Sequence, residues 1–128
     1  MTGALLVALA GGVGAAARFW VDGTVRARRR SVLPLGTMVV NLTGSLLIGL
    51  VTGARLYAGL PATAALLLAT GFCGGYTTFS AATVEAVRLA QVGERGRAVA
   101  SLAGTLVACV AAVALGIAVV GLVAGWVR

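Results

Sequence analysis

Thr37, Asn41 and Gly44 follow one another at spacings of four and three, which places them on one face of a helix. An asparagine amide can donate two hydrogen bonds. Two roles are therefore open to Asn41: a helix–helix hydrogen bond, or donation to an anion. A second run, Gly71-Phe-Cys-Gly-Gly-Tyr-Thr-Thr-Phe-Ser80, sets glycines and hydroxyls inside a segment otherwise apolar enough for lipid. A helix that meets Gly74-Gly75 and then Thr77-Thr78 at mid-membrane is expected to lose its regular hydrogen bonding near Gly74. Freed backbone groups cannot face lipid, where each costs several kcal/mol, so they must be buried or must coordinate something. Interrupted helices at membrane depth are where transport proteins place ion sites. Thr43, Ser45, Ser80, Thr83, Ser101 and Thr105 add hydroxyls, and no carboxylate stands at depth. Hydrogen-bond donors without a countercharge suit a permeating anion better than a cation.

The elements that must carry these groups follow from composition. Of 128 residues, 60% are hydrophobic and 10% charged, with a mean hydropathy of +1.07, which describes a membrane protein. At about 20 residues per span the length holds four helices with short loops. The expected fold is thus an all-α membrane protein of four transmembrane helices, with one domain over 1–128. The segments run from about Gly3 to Val21, Leu35 to Tyr57, Pro61 to Leu89 with an interruption near Gly74, and Val99 to Trp126. Pro34 and Pro61 sit where helices start, a position that tolerates proline because the first turn has spare donors. With no basic stretch ahead of the first segment, no cleavable signal peptide is expected.

All ten basic residues are arginine, and the net charge is +7. Arg28-Arg29-Arg30 beside an apolar span reads as a topology or anionic-lipid signal, not as a nucleic-acid site. Cys73 and Cys109 fall within spans and read as small apolar residues. With no histidine, the familiar transition-metal ligand sets are absent. No paired acids and no nucleophile with a neighbouring base are present, so the chain does not read as an enzyme. Arg18, a few residues inside the first segment's end, either snorkels to the interface or attracts anions at a vestibule. Glu85, with Arg88 three residues on, reads as an interfacial ion-pair or capping partner.

The motifs Gly11-Gly-x-Gly14-Ala-x-x-Arg18, Gly36-Thr-x-x-Val-Asn41-x-x-Gly44-Ser and Gly71-Phe-Cys-Gly-Gly-x-Thr-Thr-Phe-Ser80, followed by Glu85, resemble the Fluc/CrcB fluoride channels. The resemblance covers three of the four spans, in order. It implies a dual-topology channel in which two subunits pack antiparallel around two fluoride pores. It also implies a structural, non-transported sodium ion on the dimer axis, held by the backbone carbonyls of Gly74 and Thr77. By the same motif positions, Asn41 and Phe79 line the fluoride path with Thr37 and Ser80 beside it. Thr105 is the contribution of the fourth span, and Arg18 is the arginine after the first helix. An asparagine amide and the electropositive edge of an aromatic ring can replace water around fluoride.

One departure is plain. Family members usually read Thr-Thr-Phe-Ser-Thr-Phe-Ser, whereas this chain reads Thr77-Thr-Phe-Ser-Ala-Ala-Thr83, with Ala82 in place of a second pore phenylalanine. The arginines are also lopsided: 26, 28, 29, 30, 95 and 97 fall on one side of a four-span topology, against Arg55 and Arg128 on the other. Since arginine bias sets orientation, the chain is expected to insert predominantly one way, with both termini outside. Its antiparallel partner is then either a paralogue, giving a heterodimer, or a second copy, giving a homodimer. Passive export of fluoride across the bacterial plasma membrane, giving fluoride resistance, is the implied function. The alternatives are a small multidrug-type transporter, disfavoured because the first span has no acid, and a non-conducting four-helix assembly subunit.

Overall fold

The computed structural model describes residues 2–29 and 31–126; of the arginines counted above, Arg30 and Arg128 lie outside this range. Among the described residues every regular element is a helix, with α1 at Thr2–Arg28 and α2 at Leu35–Tyr57. The third segment is divided into α3 over 62–76 and α4 at Phe79–Gln91, and α5 follows at Arg95–Trp126. Helices α1, α2 and α5 are each long and apolar enough to cross a membrane. The halves α3 and α4 are each about 20 Å long at 1.5 Å per residue, so only together do they span the hydrocarbon layer of about 30 Å. The molecule is a multi-pass membrane protein.

Helix ends follow local chemistry. Pro34 and Pro61 stand at the N-caps of α2 and α3. Gly59 (φ +71°) and Gly93 (φ +88°) take the left-handed conformation just past α2 and α4. There Leu60 N–H closes on the Ala54 carbonyl (3.1 Å) and Glu94 N–H on that of Leu89 (2.9 Å), returning donors to stranded carbonyls. Helix α1 continues seven residues' worth of chemistry past the expected end at Val21, because Asp22 and Arg26 pair at 2.9 Å one turn apart. Helix α5 likewise starts before Val99, where Arg97 pairs with Glu94 at 3.2 Å.

The interruption lies later than expected. Gly74 is helical (φ −61°, ψ −36°), and the chain first becomes extended at Thr77 (φ −77°, ψ 159°) and Thr78 (φ −149°, ψ 120°). The preceding turns, Leu66–Cys73, are π-helical, a wide winding often found beside functional sites. Gly71 and Gly75 do not break the helix; they serve contact with α1. A Cβ on Gly75 would lie 2.9 Å from Gly11 Cα, and one on Gly71 would lie 2.8 Å from Ala10 Cβ. The second close seam joins α2 to α5, where a Cβ on Gly49 would come within 2.9 Å of Val113 Cα. Small residues that let backbones touch are how membrane helices associate when lipid is as apolar as leucine. Helix α2 is central: 39% of its apolar stretch is buried, against 6% for α1 and α5, whose outer faces are free for lipid or a second subunit.

Candidate functional site

The site is built where α2 meets the break. Asn41, on the central helix, donates through Nδ2 to the Thr78 carbonyl (2.8 Å) and accepts at Oδ1 from the Thr78 N–H (2.7 Å). Its amide thus satisfies both backbone groups of the extended residue. One Nδ2 hydrogen is not used by this pair and is left for another acceptor. Thr78 also caps α4, its Oγ1 accepting from Ala81 N–H at 3.2 Å. On the other side of the break, Thr77 Oγ1 donates to the Cys73 carbonyl (2.9 Å), and the Tyr76 and Thr43 hydroxyls meet at 2.9 Å. Gly44 allows this approach, because a Cβ there would lie 3.0 Å from Tyr76 Cδ1.

The four carbonyls of Gly74 to Thr77 lose their helical partners in this arrangement, and Arg18 takes up that of Gly75. In a continuing helix Gly74 C=O would receive Thr78 N–H, which donates instead to Asn41; Thr77 C=O would receive Ala81 N–H, which donates instead to Thr78 Oγ1. Gly74 is exposed, and nothing lies within 4 Å of the point where its Cβ would be. Backbone oxygens of this kind suit a hard cation. No group of three His, Cys, Asp or Glu residues able to hold a metal occurs among the described residues.

The break opens on a groove of about 620 Å³ between α2, α4 and α5, whose wall includes Asn41, Ser45, Phe79, Ala82, Thr105 and Cys109. The structure therefore brings Asn41, Phe79 and Thr105 to one cavity, and puts Ala82 on the same wall. Phe79 is 83% exposed in the single chain, so its ring extends beyond the subunit's own packing. Ser80 is exposed on the first turn of α4, 3.2 Å from Thr78 Oγ1, and Thr37 is buried one turn of α2 away from Asn41. Arg18 turns inward, its Nε donating to the Gly75 carbonyl at 3.3 Å.

Beyond Thr37 stands a charged cluster that joins residues far apart in the chain. Arg26 Nε binds both oxygens of Asp22 (3.0 and 2.9 Å), and its Nη2 reaches Thr37 Oγ1 (3.4 Å) and Glu85 Oε1. Glu85 is thus an ion-pair partner, but of Arg26 across the fold and not of Arg88 beside it. The Asp22/Arg26 spacing was the available sign of half this cluster. The sign of the capping role of Thr78 is its place as a threonine directly before the helix that starts at Phe79.

A polytopic helical protein with a broken membrane helix, clasped by a polar side chain beside an open groove, belongs architecturally with ion-conducting and transport proteins. A family model, the CrcB-like protein family described as Camphor Resistance (CrcB), matches residues 5–117. A fluoride-specific ion channel FluC 1 of Leifsonia xyli subsp. xyli is 48% identical over 92% of this chain and 86% of its own length. The fluoride-specific ion channel FluC 2 of Cutibacterium acnes is 48% identical over 89% of this chain and 94% of its own. That of Mycobacterium bovis, also FluC 2, is 42% identical over 86% and 84%. The chain belongs to the CrcB family of fluoride-specific ion channels.

Proposed function

We propose that this chain forms a passive, fluoride-selective pathway out of the cytoplasm across the bacterial plasma membrane, as one half of an antiparallel dimer. The observation that carries the reading is the clasp of Asn41 on Thr78 at the mouth of the groove that also holds Phe79 and Thr105. Fluoride binds water tightly, so a pore must offer strong donors in its place. The remaining Asn41 N–H, nearby hydroxyls and the edge of the Phe79 ring are groups of that kind. Asn41 is held at both ends of its amide, so it is already oriented when the ion arrives. With no carboxylate along the groove wall to take up a proton, flow down the fluoride gradient needs no coupling. In acid surroundings fluoride enters cells as HF and accumulates as the anion, so such a pathway confers resistance.

The groove is wide and mostly apolar for a single subunit, and an exposed phenylalanine on its wall fits a partner closing it. The diverted Gly74 and Thr77 carbonyls, doubled by an antiparallel partner, would hold a structural sodium ion, which supplies positive charge near the anion path. The arginine bias favours a paralogue as that partner over a second copy, since acidic neighbours such as Asp22 and Glu94 do little to offset arginine in setting orientation.

The test is efflux from liposomes loaded with fluoride, followed with a fluoride electrode against a chloride control. Fluoride-selective efflux from the chain alone would establish a self-sufficient homodimer. Efflux appearing only on co-expression with a paralogue would establish the heterodimer. Silence of well-folded protein under both conditions would sink the fluoride reading.

A further inference from the structure

We propose that Arg26 is a positioning residue of the ion path: it sets the charge of the pathway's end nearest the loop between α1 and α2, and orients Thr37 there. The inference rests on the fluoride reading above and deepens it. Thr37 is buried one helical turn from Asn41, and the Arg26 guanidinium reaches its hydroxyl at 3.4 Å. The same guanidinium joins Asp22 on its own helix to Glu85 on α4, so one side chain ties together α1, α2 and α4.

The charge count gives this contact its consequence. The Glu85 side chain is only 12% exposed, while that of Arg26 is 52% exposed and covers it from the aqueous side. Glu85 Oε2 is buried and has no hydrogen-bond partner among the described residues. Two carboxylates against one guanidinium leave a single negative charge in the cluster; without Arg26 there would be two. An anion passing between Asn41 and water would then meet an uncompensated buried carboxylate. Charge repulsion of this kind is strongest where protein excludes water and weakest where salt screens it.

The experiment compares wild type, Arg26→Gln, Arg26→Lys and the double variant Arg26→Gln/Glu85→Gln in the form that conducts, alone or with the paralogue. Fluoride efflux is read at about 0.01 M and about 1 M of an impermeant salt on both sides, where screening lengths are about 30 Å and 3 Å. Arg26→Gln is expected to slow efflux roughly tenfold at low salt, with most of the deficit gone at high salt. Arg26→Lys keeps the charge and should stay within about threefold of wild type, since lysine replaces the charge but not the fork of donors. The double variant restores the wild-type charge count and should recover most of the lost rate. A merely structural tie would give a deficit that salt does not relieve, and that result would overturn the proposal. So would an Arg26→Gln channel as fast as wild type at low salt. If Arg26→Gln fails to fold, Arg26→Lys and the double variant decide: a double variant that stays slow at low salt overturns the proposal. Wild-type vesicles silent for fluoride would remove the functional reading itself, a different outcome from a conducting wild type with an indifferent Arg26→Gln.

Discussion

The seam between α1 and α3 and the groove between α2, α4 and α5 use small residues for opposite ends. In the seam, Gly14 and Gly75 leave no room: a Cβ on Gly14 would overlap the Phe72 carbonyl and lie 2.9 Å from Tyr76 N. In the groove, Ala82 and Ala103 stand beside about 620 Å³ of open space. The seam brings backbones into contact and so fixes where α3 ends; the groove keeps backbone and side chains apart beside that end. A glycine count alone cannot tell these two uses apart, although one is rigid packing and the other is space for an ion or a partner.

The largest effect should come from breaking the seam. Gly14→Val places branched carbon against the α3 backbone, where overpacking costs about 3 kcal/mol. The variant should be lost from the monodisperse fraction in size-exclusion chromatography, or melt well below wild type. Gly12→Ala is the contrast, since nothing lies within 4 Å of its Cβ position; it should be no less stable than wild type and up to about 1 kcal/mol more stable, the helix penalty of glycine. A Gly14→Val protein that folds and melts like wild type would mean the seam is not close-packed.

Asn41→Ala comes next, because it acts where the seam's work meets the groove. It strips partners from both the N–H and the C=O of Thr78. Each group left unsatisfied costs about 1–3 kcal/mol, and the donor offered to the ion is lost with them. Fluoride efflux should fall by more than about tenfold, the factor that 1.4 kcal/mol represents, with a clear drop in melting temperature. Unchanged flux would detach the clasp from the pathway.

How much of this was legible varies with the range of the interaction. The ends of α2 could be read at Leu35 and Tyr57 because Pro34 and the approach to Gly59 mark them locally. The end of α1 could not be read from hydropathy, since what extends it is the Asp22–Arg26 pair, a favourable polar interaction in a stretch already outside the apolar run. The break was placed near Gly74 because glycines weaken helices in general. Gly71 and Gly75 instead meet α1 while Gly74 stays helical, and the helix ends only at Thr77, where the Asn41 side chain takes both backbone groups of the next residue, Thr78. Asn41 and Phe79 could be read from their motifs and Thr105 only as a hydroxyl of the fourth span, but the bond of Asn41 to Thr78 and that of Arg26 to Glu85 join residues far apart in the chain. Such contacts depend on how the helices pack, which no local pattern encodes.

The smallest expected effect sharpens the comparison most. Ala82 lies three residues beyond Phe79 on α4, so both side chains look into the groove from one face. If the space beside Ala82 is open, Ala82→Phe adds a ring without displacing backbone, and stability should stay within about 0.5 kcal/mol of wild type. The same change in the α1–α3 seam would not be survivable. The added ring would sit close to Phe79 and supply a second electropositive edge. That edge offers the ion a further electropositive contact, so efflux in the form that conducts, alone or with the paralogue, should rise modestly, by about twofold. A faster Ala82→Phe channel would show that this chain lacks one aromatic group that a partner otherwise brings. Unchanged efflux from a stable variant would mean that the Phe79 ring already suffices. A variant that loses stability as Gly14→Val does would mean the groove is closed around Ala82, and the contrast between the two regions would fail there.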